Sequence, residues 1–512
     1  MKNFRKLLAL MLALVLVLVA CNNTTPETPE KPDTEDSETD DNETGTPDTG
    51  EEDTTDEGEE ETPAGDVEIT YLLLASGTDV DKIEEKINER LKELDATYTV
   101  NLVHYGWDNY TERLGLAARG TGDKFDIATT ASWLGPYRTL VTDGGLMDIT
   151  GLMEENMPNL YPTLAPEQIE GVKLDGKAYG VPTRFTAMMA RDNFAWNMNM
   201  LEDLGFTFDD VKDLRTVESL EPMLKAFKDK YPNEYPLDSG SEWALRRVDS
   251  LIKTDENGDA VIENIFAADY MREALETIKK YADAGYIHPD AGSDLAPKQT
   301  DPETWLVMRA EGEPGAEALW SVGEKNTPIK SVLTAEDVFI GNANIQGKMT
   351  SVYAHSEHPA EALDFVDKIG TDEVIQNLLA WGIEGEHYNV VDGNVETTEA
   401  QGEGWAPWQA QLVSDAKRLP GPDVKAADDP ELVEEVKAFE AELKPAADLG
   451  FTPSAELETK MGEIQAIKDT YYGDLARGRM ETYDNFLSDL EAAGIDQLVT
   501  DLQAEYDAWK AQ

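Results

Sequence analysis

The chain has 512 residues, a single cysteine and a formal net charge of −61. A surface of that sign repels nucleic acid and anionic lipid, which disfavours DNA, RNA and membrane-penetrating roles. One thiol allows no internal disulfide, so the folded part must be held by its own cores, and a chain of this length is expected to build two.

Lys2, Arg5 and Lys6 precede an apolar run from Leu7 to Ala20, the composition of a secretory signal and shorter than the roughly 20 residues of a membrane span. Leu18-Val19-Ala20-Cys21 closes the run as a lipoprotein cleavage box. Residues 1–20 are expected to be removed, leaving Cys21 lipidated and the protein anchored on the extracellular face of the cell membrane. Lipidation takes the one thiol, so none remains for catalysis or metal binding. Residues 21–66 form the lipidated cysteine and a tether of Thr, Pro, Glu, Asp and Gly, with nineteen acidic residues against Lys31 alone. Such a segment cannot bury enough apolar area to offset its ordering entropy and is expected to be disordered, with an r.m.s. span of about 35–40 Å.

The folded part opens with alternating elements. Val67 to Leu74 reads as a buried strand, and Val80, Ile83, Ile87, Leu91 and Leu94 recur at helical spacing. A second strand follows at Tyr98 to His104, a second helix at Asn109 to Arg119 and a third strand at Phe125 to Thr129. This order predicts a parallel sheet with right-handed crossovers, and in such sheets ligands settle beyond the C-terminal strand ends. Those ends carry Gly106-Trp107-Asp108 and Ala131-Ser132-Trp133. Hairpin tips are predicted at Asp175-Gly176, Asn257-Gly258 and Asp392-Gly393. From Pro430 the pattern is helical: Leu432, Val436, Phe439 and Leu443 share one face, and Leu457, Met461, Ile464, Ile467 and Tyr471 another, behind Ser454 as N-cap. A last helix carries Ile495, Leu498, Val499, Leu502, Tyr506 and Trp509.

Other constellations carry less chemistry. His355 and His358 give H-x-x-H with no third ligand near, and Pro359 starts a helix at once. Asp255, Asn257 and Asp259 imitate the start of a calcium loop, but Ala260 stands where glycine is required and Phe266 where the bidentate glutamate belongs, so a hairpin tip is the better reading. Arg119-Gly120-Thr121-Gly122 lacks the spacing and lysine of a phosphate loop. With 104 acidic residues, chance carboxylate pairs are unavoidable, so no glycosidase pair is assigned. No serine elbow, H-E-x-x-H or nucleotide motif is present.

Four segments in order resemble one family. GVKLDGKAYGVPT (171–183) is similar to the hairpin leading into the hinge of family 1 extracellular solute-binding proteins, the capture subunits of carbohydrate ABC importers. The strand and helix order ending in FDIATTASW resembles their N-terminal lobe. HPAEALDFVDKIGTDEVIQNLLAWGIEGEHYNVVDG (358–393) and LEAAGIDQLVTDLQAEYDAWK (490–510) resemble segments of a LipO-like lipoprotein subgroup with a helical C-terminal domain. The resemblance implies an α/β, two-lobed periplasmic-binding-protein-like clamp of type II, its chain crossing between lobes, with a helical C-terminal region. Lobe one would take 67–183 plus 341–388, and lobe two 184–340 plus 389–512, of which 429–512 is the helical region. It further implies a non-enzymatic, monomeric capture protein for a carbohydrate, an oligosaccharide above all, with ABC transporter permease subunits as partners and neither cofactor nor metal. A peptide-capture protein and a glycan-active surface enzyme are the alternatives.

A sugar presents flat apolar faces edged by hydroxyls, so its site needs aromatic platforms and planar hydrogen-bonding groups. Trp107 and Trp133, at strand ends, are the best platform candidates, with Ser132, Tyr137 and Arg184 beside them. Trp196 and Trp243 are further candidates, and Trp381, Trp405 and Trp408 read first as packing residues.

Overall fold

Tyr71 to Ala75 are buried on both faces of their strand, as a parallel strand covered by helices on each side requires. The structure, a computed structural model, describes residues 67–511 except 123, 135–136, 184–190, 238–250, 292–304, 313, 335–338, 409–410, 415, 422–424 and 426–428. Strands β1 (Val67–Ser76), β2 (Tyr98–Tyr105), β3 (Ile127–Thr130) and β4 (Val181–Pro182) come first. Strands β5 (Arg191–Asn197), β6 (Val307–Gly312) and β7 (Ile329–Leu333) form a second sheet, and β8 (Phe339–Ile340) leads back to β9 (Met349–Val352) and β10 (Ala406–Pro407) of the first. Strand β11 (Lys444–Pro445) pairs in parallel with β8.

In the first sheet β1 is parallel to both β2 and β3, with Leu74 opposite Tyr105 and Leu72 opposite Ala128. The two crossovers are the helices Val80–Glu93 and Tyr110–Ala118, so the alternation read from the sequence is the one the chain adopts. Antiparallel β9 and β4 extend the sheet beyond β3, and β10 adds to the C-terminal end of β1. Ile83, Ile87 and Leu91 press the first helix onto this sheet, while Phe365, on the helix Pro359–Thr371, meets Tyr71 and Tyr98 edge-on at 6.2 and 6.5 Å.

Two large hydrophobic cores result. The first spans residues between Ile69 and Val181 and between Ile340 and Val413. The second joins Phe194 to Val332 with Phe451 to Tyr506, so the helices Ala455–Leu475, Tyr483–Ala492 and Ile495–Lys510 belong to it. One division differs from expectation. Val395, Trp405, Leu412 and Val413, expected in the second lobe, pack in the first core, because β10 gives its backbone bonds to β1 and brings the flanking residues with it. All three predicted hairpin tips are present, with positive φ at Asp175, Gly176, Gly258, Asp392 and Gly393. No helix among the described residues is long and apolar enough to cross a membrane.

A strap around Lys444–Glu458 touches both cores. Asn342 donates to the Phe451 carbonyl at 2.8 Å and accepts from the Gly450 N–H at 2.8 Å. Arg138 donates to the Pro453 carbonyl and pairs with Glu458. From the other side Thr254 accepts the Ala447 N–H at 2.9 Å, and Tyr506 donates to the Ala447 carbonyl at 3.0 Å. Within the strap, burial pushes the Asp448 carboxyl above its ordinary value of 3.8. The native state therefore holds this proton to higher pH than the unfolded chain, and the contribution to stability is full below that value and lost as pH rises through the raised one. Asp448→Asn is expected to raise the denaturation midpoint at neutral pH and to lose that advantage below pH 3.8, measured by urea melts across pH.

Candidate functional site

Parallel pairing sets the ends of β1, β2 and β3 level on one edge of the first sheet. The chain leaves β2 through Gly106 and Trp107, and leaves β3 through Ala131, Ser132 and Trp133. The two tryptophans are 58 % and 54 % exposed, the most exposed large hydrophobic side chains described. Their rings stand nearly parallel, 6.1 Å apart at 19°. Trp408, just past β10 and half-buried, meets Trp107 edge-on at 5.4 Å and Trp133 at 5.5 Å. Edge-to-face contact matches the positive rim of one indole to the negative face of another, which favours this arrangement of three rings.

The platform is fixed in place by polar contacts beneath it. The Trp133 indole N–H donates to the Gly347 carbonyl at 2.9 Å, and the Ser132 N–H to the Gln346 carbonyl at 2.7 Å. Gln346 in turn donates through Nε2 to the Gly171 carbonyl at 2.7 Å. Asp108 and Ser132, beside the platform in sequence, have exposed side chains. The result is an exposed cluster of three indoles with a carboxylate and a hydroxyl at hand. Leaving two indoles in water forgoes roughly 25 cal/mol for each Å² not buried, a loss the fold alone does not explain.

Two expected site residues stand elsewhere. Tyr137 is fully buried: it donates to the Val172 carbonyl at 2.7 Å and accepts the Tyr179 N–H at 3.0 Å, so it ties the predicted hairpin to the short helix Tyr137–Thr142. Trp196 is likewise fully buried on β5, within the second core, because it falls in register with Phe194 on the strand's inner face. Arg184, Trp243 and Cys21 lie outside the described residues. Trp381 and Trp405 are packing residues whose indoles donate to the Leu419 and Leu379 carbonyls. Trp408 is the residue that strand-end reasoning passed over, since its strand is two residues long and carries no periodicity.

The chain also gathers Asp79, Glu386 and His387, the last fully buried. His387 Nδ1 accepts the Ile383 N–H at 2.9 Å, so the proton of the neutral ring sits on Nε2 and points at Asp79, 3.2 Å away. Lys82 occupies the remaining space, 3.2 Å from Asp79 and paired with Glu386, and its ammonium holds the Asp79 carboxyl below the usual range. A metal on Nε2 would need the other tautomer and the lysine's place, so the cluster is a clamp and not a metal centre. It grips the backbone next to β10: the Asp79 N–H donates to the Gly404 carbonyl at 2.9 Å. A Cβ on Gly404 would lie 2.7 Å from Asp79 Oδ2, and one on Gly77 2.1 Å from the Gly404 carbonyl oxygen, so both positions require glycine. The imitation calcium loop is a hairpin tip, Asp255 Oδ1 accepting the N–H groups of Asn257 and Asp259 at 2.9 Å each. A separate groove of about 620 Å³ lies against the second sheet, between Phe208, Leu333, Phe439 and the carboxylates Glu317 and Glu435. Burial and the Glu317 charge raise the Glu435 carboxyl above its ordinary value.

The family model described as bacterial extracellular solute-binding protein matches residues 82–383. A carbohydrate ABC transporter substrate-binding protein of Streptococcus pneumoniae serotype 4 (strain ATCC BAA-334 / TIGR4) is 25% identical over 342 residues. That match covers 63% of this chain and 63% of the relative, so the chain spans under two thirds of the relative's length. The N-glycan transport solute binding protein NgtS from Streptococcus pneumoniae superposes with a TM-score of 0.71 at 20% identity, over 86% of this chain and 98% of that one. Its complex with Man5GlcNAc superposes at 0.62, with the same identity and the same coverage. An extracellular solute-binding protein from Bifidobacterium longum subsp. infantis gives 0.58 at 16% identity, over 87% and 99% of the two chains. These likenesses establish the two-lobed α/β fold. Trp107→Ala and Trp133→Ala are expected to shift stability by no more than about 1 kcal/mol, whereas Trp196→Ala should cost about 3–5 kcal/mol, all read from urea midpoints.

Proposed function

Because this chain belongs to the bacterial extracellular solute-binding proteins, we propose that it captures a carbohydrate, an oligosaccharide above all, between its lobes and delivers it to the permease subunits of an ABC importer. The observation that carries the reading is the exposed indole platform of Trp107, Trp133 and Trp408 at the strand-end edge of the first sheet. Stacking on sugar faces suits these rings, while Asp108 and Ser132 meet hydroxyls at the edges. The relatives named above support the ligand class: one is called a carbohydrate transporter subunit, and another was solved with Man5GlcNAc.

The ligand would close the clamp by touching both lobes at once, since only differential contact with two states shifts their populations. Nothing is turned over: the protein binds and releases, as a monomer. Cys21 carries the lipid, and the acidic tether of residues 22–66 lets the clamp reach away from the extracellular membrane face.

A thermal-shift screen of the full-length protein against plant, host and microbial glycans, with peptides as controls, tests the ligand class. An oligosaccharide at 100 times its dissociation constant should stabilise by about 2.7 kcal/mol, and Trp107→Ala or Trp133→Ala should weaken it about tenfold. Response to peptides and silence across sugars would overturn the carbohydrate reading, and release of cleaved product would overturn the non-enzymatic one. Cys21→Ala is expected to free the protein from membranes with its affinity unchanged; a persistent membrane fraction on fractionation would contradict the anchor.

A further inference from the structure

We propose that Gln411 is a positioning residue for the indole platform: its buried carboxamide serves as an extra peptide rung between β1 and the segment after β10, and so sets where the Trp408 ring stands. The inference rests on the platform reading above, but its first readout needs no ligand.

Strand β10 has two residues, pairing Ala406 with Ser76 and Pro407 with Ala75. Proline offers no N–H, so this ladder is short of a donor from the start. The Trp408 N–H donates to the Leu74 carbonyl at 2.9 Å, and the Gln411 N–H donates to the Trp408 carbonyl at 3.0 Å. The side chain of Gln411 continues what the backbone has stopped doing. Its Oε1 accepts the Leu74 N–H at 2.9 Å, and its Nε2 donates to the Leu74 carbonyl at 3.0 Å. Thr129, on β3, donates its hydroxyl to the same Oε1 at 3.1 Å.

A carboxamide presents an acceptor and a donor on separate atoms, as a peptide does, whereas a carboxylate lacks the donor, an aliphatic side chain lacks both and a hydroxyl carries both on one atom. Gln411 is 4 % exposed, so every one of these bonds is made away from water and losing one leaves an unpaired group behind. The consequence for the platform is geometric. Trp107 and Trp133 follow directly from parallel strands, whereas Trp408 hangs on a two-residue edge pairing. A slip of one residue there would turn its side chain to the opposite face and undo both edge contacts. Gln411 is the side chain that resists that slip, because it reads the same Leu74 peptide that Trp408 does.

The test uses the full-length protein in detergent. Close indoles give an exciton couplet in far-ultraviolet circular dichroism, and Trp408→Phe defines the part owed to Trp408. Gln411→Leu, similar in size but without polar atoms, and Gln411→Glu, which keeps the acceptor and loses the donor, are expected to remove that same part. The control is Asp367→Asn, which disturbs an equally buried group in the same core, one that accepts from Asn159 and the Leu160 N–H, and should leave the couplet intact. Affinity for the sugar found in the screen should fall about tenfold in both Gln411 variants and in Trp408→Phe, and hold in Asp367→Asn. An unchanged couplet in the Gln411 variants, or an equal loss in Asp367→Asn, would overturn the proposal and leave Gln411 a stabilising core residue. Should Gln411→Leu not fold, Thr129→Val removes the hydroxyl donor to Oε1 while leaving Gln411 in place, with Tyr71→Phe as the control for the 3.4 Å contact of the same hydroxyl to Tyr71; Thr129→Val must still reduce the Trp408 part of the couplet and Tyr71→Phe must not, and no reduction in Thr129→Val overturns the proposal. If no sugar binds at all, the capture reading falls while the couplet still decides the role of Gln411.

Discussion

Parallel pairing of β1 with both β2 and β3 is the constraint on which the rest of the structure depends. It demands helical crossovers, which bury β1 on both faces, and it makes three strands end on one edge. Backbone groups at such an edge have no further ladder, so the chain there must turn, cap or accept help from side chains. Each device is present: Gly106 begins the turn into Trp107, Ser132 gives its N–H to Gln346, and Gln411 closes on Leu74. The same edge is where an aromatic side chain can stay in water without opening the core beneath it.

The β8–β11 pair and the strap that follows it join the two cores. The strap exchanges hydrogen bonds with Asn342 on one side, and on the other its Ala447 N–H donates to Thr254 and its Ala447 carbonyl accepts from Tyr506, while Leu449 leans on the first core and Phe451 enters the second. The C-terminal helices are thus part of the second core and not an appendage. Their route to the first core runs through Arg138, which pairs with Glu458 and is five residues beyond Trp133 in the chain.

Much of this was legible in the residues. The alternation from Val67 to Thr129 specified strands, crossovers and their parallel order, and Asp-Gly and Asn-Gly pairs specified the hairpin tips. The exposure of Trp107 and Trp133 could be anticipated because they follow the ends of parallel strands, where the sheet no longer covers a side chain. Tyr137 and Trp196 could not be sorted from them in that way. Both lie close in sequence to plausible site residues, yet their faces are set by helix and strand register inside cores that only tertiary packing defines. Trp408 and the placement of 389–413 were hidden for a different reason: a two-residue edge strand has no period, and its partner lies more than three hundred residues earlier. The clamp of Asp79, Lys82, Glu386 and His387 likewise joins segments far apart in sequence, and the hydrogen bond into His387 Nδ1 together with the Lys82 ammonium distinguishes it from a metal site.

A ligand seated on the exposed indoles, as proposed, must shield them from solvent. N-bromosuccinimide oxidation of the full-length protein, with each tryptophan followed by peptide mass spectrometry, reads that directly. Trp107 and Trp133 should react first in the free protein, Trp196 and Trp405 should stay intact, and a saturating sugar should protect the exposed pair. A sugar that demonstrably binds while both indoles remain as reactive as before would place the site elsewhere.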